Sequence, residues 1–98
     1  MAVVNKSKQA NEDLYQIWHY IAIEKESPEN TERFIEALDQ IMVELAQSPS
    51  IGVLKNEYML GIRQYVFKKY LILYFSLPDG IEVIRVIHSA RDMSELLG

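Results

Sequence analysis

The sequence predicts an α+β fold: an N-terminal helical hairpin packed on a mainly antiparallel β-sheet of about four strands. Three observations carry that expectation. The first half holds two apolar stripes at helical spacing, and the second half holds aromatic and β-branched runs broken by turn residues. The 98 residues suffice for one hydrophobic core and not for two, so residues 1–98 read as a single domain.

Ala2-Val3-Val4-Asn5-Lys6 is a short apolar start that suits a strand at a sheet edge. Ser7 or Asn11 is placed to cap the first helix, whose stripe is Ala10, Leu14, Ile17 and Ile21, widened by Trp18 and Ala22. Glu12 and Asp13 fall near the positive end of that helix, which is expected to reach about Lys25. Ser27-Pro28 opens a second helix, expected to run to about Gln47. Its stripe is Phe34, Leu38, Ile41 and Leu45, and Ser48-Pro49 ends it. Two stripes so close in sequence make an antiparallel pair that still needs a third surface to bury them.

Ile51 to Leu60 reads as a connection. Gly61 to Phe67 is a strand with Ile62 and Val66 near one face, and Lys68-Lys69 is its turn. Tyr70 to Phe75 is the strongest strand signal, apolar throughout as in a central strand. Leu77-Pro78-Asp79-Gly80 turns the chain into a further strand, Ile81 to His88. Strict alternation gives that strand an odd face of Ile81, Val83, Arg85 and Ile87, and an even face of Glu82, Ile84, Val86 and His88. Asp92 to Leu97 reads as a last short helix, with Asp92 as its cap and Glu95 three positions on.

Composition narrows the chemistry. Hydrophobic residues at 49% and charged residues at 24% are globular values, not those of a disordered chain. The absence of cysteine excludes disulfides, a thiol nucleophile and thiolate metal sites. No signal peptide is expected from the opening residues, and no apolar run is long enough to span a membrane, so a cytoplasmic protein without membrane contact is expected. The net charge of −4 argues against a surface built to grip a phosphate backbone. Residues 1–50 hold 4 basic and 9 acidic groups, a balance of −5, whereas residues 51–98 hold 6 and 5, a balance of +1. An electronegative partner is expected to prefer the second half.

No glycine-rich phosphate loop, H-E-x-x-H motif or cysteine–histidine cluster is present, and no cofactor or metal is expected. Arg63, Arg85, His88 and Arg91 are the candidate site residues. Arg85 interrupts an apolar strand, where a guanidinium needs a carboxylate, phosphate or carbonyl. One reading is an internal pair with Asp92 or Glu82; the other is a cationic patch shared with Arg63 on a neighbouring strand. His88 ends its strand and is either a backbone-bonded residue or a general acid/base. Tyr15, Trp18 and Tyr20 read as core or helix-boundary residues, with a partner-facing groove as the alternative. Lys55, Lys68 and Lys69 read as solvated charges.

Taken together, these residues resemble a known family. Ala10, Asp13-Leu14, Ile17, Tyr20-Ile21-Ala22, Pro28, Phe34 and Leu38 match in the helices, followed by Leu45-Ala46, Pro49, Gly52 and Gly61-Ile62-Arg63. The most specific block is Ile84-Arg85-Val86-Ile87-His88-Ser89-Ala90-Arg91-Asp92, preceded by Tyr70-Leu71-Ile72-Leu73-Tyr74. The chain resembles the ParE toxins of the RelE/ParE superfamily, also called plasmid stabilisation proteins. That resemblance implies a RelE/ParE-like fold and a ParD-like antitoxin that wraps the toxin. Operator DNA would be contacted only through that antitoxin. It also implies DNA gyrase as the target. Arg63, Arg85, His88, Arg91, Asp92 and Trp18 are then the residues expected to meet target or antitoxin.

The superfamily also contains RelE-type nucleases that cut messenger RNA on the ribosome. Arg63 and Arg85 match the sheet arginines of those enzymes, and His88 lies near their histidine, so these three residues would be catalytic under that alternative. Their terminal tyrosine and lysine cluster have no counterpart in Ser89-Ala90-Arg91-Asp92-Met93. The ParE reading is therefore preferred. An inactive homologue that acts only as a binding module is the third reading.

Overall fold

A computed structural model describes residues 2–24 and 28–90. The chain begins with β1 (Val3–Lys6) and α1 (Lys8–His19), continues through a π-helical turn (Tyr20–Glu24), and then forms α2 (Pro28–Gln47). A 3-10 turn (Pro49–Ile51) leads to β2 (Val53–Leu54), β3 (Arg63–Phe67), β4 (Tyr70–Leu77) and β5 (Gly80–His88). The strands form one sheet of five in the order β1-β5-β4-β3-β2. The α+β class agrees with expectation, and the early strand does join the sheet edge. The count of about four is corrected to five, and the sheet is mixed, because β1 pairs parallel with β5 while the other pairs are antiparallel.

Ser7 caps α1: its Oγ accepts from the Ala10 N–H at 3.0 Å and donates to the Ile84 carbonyl at 2.7 Å. The cap thus also ties the helix start to β5. With the helix starting at Lys8, Glu12 and Asp13 lie beyond the first turn, so the expected dipole role for them is corrected. Regular α-helix ends at His19 rather than near Lys25. The Tyr20 N–H reaches the carbonyls of both Gln16 and Ile17, and the chain then widens into the π-helical turn. The expected Ser27 cap and the 92–97 helix lie outside the described residues.

Both helices bury their stripes on one face of the sheet. Ala10 and Ile17 of α1 and Leu38, Met42, Leu45 and Ala46 of α2 meet Ile72, Tyr74, Ile81, Val83 and Val86. Each fully buried large aliphatic side chain contributes about 1.5–3 kcal/mol. Side chains alternate along β4, so Leu71 and Leu73 face the other way, where they pack with Ile62 and Ile87. Tyr58 and Phe75 cover that second cluster. The face without helices is therefore partly closed by the 55–62 segment.

Two strand expectations change. Along β5 the register runs Leu73↔Arg85 and then Tyr74↔Val83, leaving Ile84 as an extra residue. This β-bulge splits the expected odd face: Ile81 and Val83 meet the helices, but beyond the bulge Val86 does, and Ile87 joins the opposite cluster. The expected connection Ile51–Leu60 contains β2, whose two exposed residues pair with Arg63 and Gln64 and carry no readable alternation. Ile62, which precedes β3, is buried, whereas Val66 is exposed at 57%, because the 55–62 segment covers one end of the face only.

Candidate functional site

Arg85 ties α1 to the sheet. Its Nε donates to Asp13 Oδ2 at 2.8 Å and its Nη2 to Asp13 Oδ1 at 3.1 Å. Asp13 Oδ2 also accepts the Val86 N–H at 3.0 Å, and Oδ1 accepts from Gln9 Nε2 at 3.3 Å. The two side chains are 13% and 6% exposed, so this is a bidentate pair almost withdrawn from water. The internal pairing is as one reading had it, but among the described residues the carboxylate is Asp13 and not Glu82. It comes from α1, and Asp92 lies outside the described residues, as does Arg91. The signal was present in the sequence: Asp13 falls on the stripe between Ala10 and Ile17, and all three are buried. A carboxylate on an apolar stripe implies a buried cation partner.

Arg63 does not neighbour Arg85, because β4 lies between their strands. The shared cationic patch is corrected for that reason. Arg63 Nη1 instead donates to the Gly52 carbonyl at 2.7 Å. The Gly52 N–H in turn donates to Tyr74 Oη at 2.9 Å, and that hydroxyl donates to the Pro49 carbonyl at 2.6 Å. The fully buried Tyr74 thus anchors the 3-10 turn, with Arg63 closing the network. Burial pushes the Tyr74 phenol above its ordinary value, against the pull of the Gly52 N–H and of Arg63. A side chain at Gly52 would overlap the Tyr74 ring, which explains glycine there.

Where α1 passes into the π-helical turn, it stands off from the end of β5 and leaves a groove of about 420 Å³. Gln16, Ile17, Tyr20 and Ile21 form one wall; Tyr70, Val86, Ile87 and His88 form the other, with Lys69 at the rim and Asp13 at the inner end. Tyr70 sits edge-on to both His88 and Phe34, each at 5.5 Å between centroids. Burial raises the Tyr70 phenol above its ordinary value, and Tyr20 adds to the rise. Tyr70 is therefore a neutral hydrogen-bonding group at pH 7. His88 is exposed, and its Nδ1 accepts from the Ala90 N–H at 3.1 Å, which leaves Nε2 as its outward group. Among the described residues no cluster of His, Cys, Asp and Glu can hold a metal ion.

Tyr15, Trp18 and Tyr20 are exposed at 65%, 43% and 48%, which corrects the core reading. Tyr15 stacks on Trp18 at 6.4 Å and lies near His19 at 6.2 Å, so α1 carries an aromatic stripe on its outer side. Of the candidates among the described residues, the structure brings His88 alone to the groove wall. Arg85 is held behind Asp13, Arg63 is across the sheet, and Trp18 is on the outer helix face. Sequence reading missed Asp13 as the partner, Tyr70 and Lys69 as groove residues, and Tyr74 as an anchor.

Comparison with known proteins follows this geometry. No curated protein matches the chain. Among solved structures, the chromosomal ParDE TA system from P. aeruginosa superposes with a TM-score of 0.70 at 18% identity, over 90% of this chain and 96% of that chain. At that identity the likeness establishes a shared fold. The family model for the ParE toxin of type II toxin-antitoxin system, parDE, matches residues 4–93. The mixed sheet, the helices packed on it and a sequence match across nearly all of its length show that the chain belongs to the ParE toxin family of type II toxin–antitoxin systems.

Proposed function

We propose that this chain is the toxin of a type II pair, held inactive by a ParD-like antitoxin and acting in the cytoplasm by poisoning DNA gyrase. The observation that carries the target choice is the state of the two sheet arginines. A phosphate-binding nuclease site needs cations free to meet the substrate, and here Arg85 is consumed by Asp13 and Arg63 donates to the Gly52 carbonyl. The groove that remains carries one lysine, Lys69, and a neutral Tyr70. This is a binding surface more than a phosphodiester-cleaving one. DNA contacts run through the antitoxin, in keeping with the net charge of −4.

The test is supercoiling by purified gyrase with and without this protein. Inhibition relieved by the antitoxin supports the reading. A second reading, a ribosome-dependent messenger-RNA endonuclease, has one observation in its favour: His88 presents Nε2 at the groove beside Lys69 and Tyr70. Codon-specific cuts in a translation assay, abolished by His88→Ala, would replace gyrase poisoning with that activity. Neither effect, with antitoxin binding intact, would leave a binding module.

A further inference from the structure

β2 lies at the opposite side of the sheet from β5, with β3 and β4 between them. It is two residues long, and Val53 and Leu54 are both exposed, as is Ile51 just before them. The Lys55 N–H donates to the Ile62 carbonyl at 2.8 Å, so Lys55 and, by alternation, Val53 direct their backbone groups at β3. The N–H and C=O of Leu54 therefore point out of the sheet, and no partner meets them among the described residues. On either side of Leu54 the edge is closed. The Gly52 carbonyl is taken by Arg63 Nη1 and its N–H by Tyr74 Oη. After Lys55 the chain turns back, with the Tyr58 N–H on the Lys55 carbonyl at 2.9 Å. These bonds hold the edge in place, aided by the Gly61 N–H on Asn56 Oδ1 at 2.8 Å.

We propose that this edge joins two copies of the chain about a two-fold axis at Leu54. In an antiparallel contact centred there, each Leu54 N–H donates to the carbonyl of the partner subunit's Leu54, so one residue supplies both bonds. Leu54 pairs with Arg63 and shares its face, where the two Leu54 side chains meet across the axis. On the other face Val53 lies against the stem of the partner subunit's Lys55. Length decides against an added peptide strand, which needs outward groups at alternate residues over several positions, whereas β2 offers one. Charge decides against an acidic or basic partner, since residues 51–60 hold only Lys55 and Glu57, which pair with each other at 3.9 Å. On a chain of net charge −4, a neutral stretch is where a second copy meets little repulsion. Three apolar side chains and two hydrogen bonds fall short of the about 800 Å² per partner of a stable interface, so the dimer is weak and forms at micromolar or higher concentration. The proposal does not rest on the toxin–antitoxin reading.

The experiment is sedimentation of the full chain from micromolar to near-millimolar concentration. The mass is expected to rise from the 11.4 kDa of one chain toward twice that value. Leu54→Glu and Leu54→Lys each set two like charges across the axis and are each expected to weaken association by about tenfold or more. Mixed in equal amounts, the two variants are expected to associate again, because opposite charges then face each other. Both should melt near the parent temperature in dilute solution, since Leu54 is exposed. A chain that stays monomeric throughout overturns the proposal. So does a dimer that both variants leave intact, which would use another face, and so do variants that lose association and do not regain it on mixing. Slow hydrogen exchange of the Leu54 amide in dilute monomer also overturns it, since the chain itself would then cover this edge.

Discussion

Asp13 and Arg85 are 72 residues apart in sequence and share two hydrogen bonds, and Asp13 also holds the Val86 N–H. Removing one partner strands a nearly buried charge. Arg85→Ala and Asp13→Ala are each expected to lose about 3–5 kcal/mol. For a domain of this size that is a Tm fall of more than about 10 °C in a thermal melt. Asp13→Asn keeps an acceptor for Val86 and should lose less. If the double variant is no less stable than either single one, the two residues act as one unit. Tyr74 makes a second residue-scale case. Tyr74→Phe leaves the Gly52 N–H and the Pro49 carbonyl unpaired, at an expected cost of about 1–3 kcal/mol. Its pH behaviour has a definite sign. The folded-state phenols of Tyr74 and Tyr70 titrate above 10.0, so their contribution to stability is complete below that pH and is lost as pH rises through the raised values. Melting temperatures should fall above about pH 10, and less steeply in Tyr74→Phe.

At the scale of elements, the join between β1, α1 and β5 decides whether the sheet has its fifth strand. Gly80 lies opposite Val3, and a Cβ there would run into the Val3 backbone. Gly80→Ala is expected to displace β1, with faster amide exchange at Val3 to Lys6 and a lower melting temperature, while the β3–β4 amides stay protected. Ser7→Ala removes both the helix cap and the bond to Ile84. A loss of about 1 kcal/mol is expected for the cap alone, and a larger one measured by urea unfolding would give the Ile84 bond its share. The helical stripes and the β4 run were legible because they are periodic and long. The β5 bulge and the two-residue β2 were not. A bulge is set by how a strand fits its neighbours, and two residues carry no period. The end of α1 was misjudged because the stripe continues through Ile21 while the hydrogen bonding changes to the π form.

For the whole molecule, α1 carries both one wall of the groove and the aromatic stripe. A partner that binds only the folded toxin raises its stability by mass action. At 1,000 times its dissociation constant, antitoxin should add about 4 kcal/mol, seen as a concentration-dependent rise in melting temperature. Trp18→Ala should change the stability of the free chain little, since 43% of the residue is exposed. A drop in antitoxin or gyrase affinity in that variant would bring the stripe into the interface.

The sequence by itself determined the α+β class, the two helices and the central strands, and the family resemblance through its final arginine–histidine block. These are properties of local period and residue type, which a linear reading contains. Only the tertiary structure decided that Asp13 meets Arg85, that β4 separates Arg63 from Arg85, and that Asp13 of α1 takes the Val86 N–H at the β5 edge. Those outcomes depend on strand order and on a one-residue bulge. Both follow from the summed packing of segments distant in the chain, because a buried charge or an edge amide takes whichever partner the completed fold brings within reach.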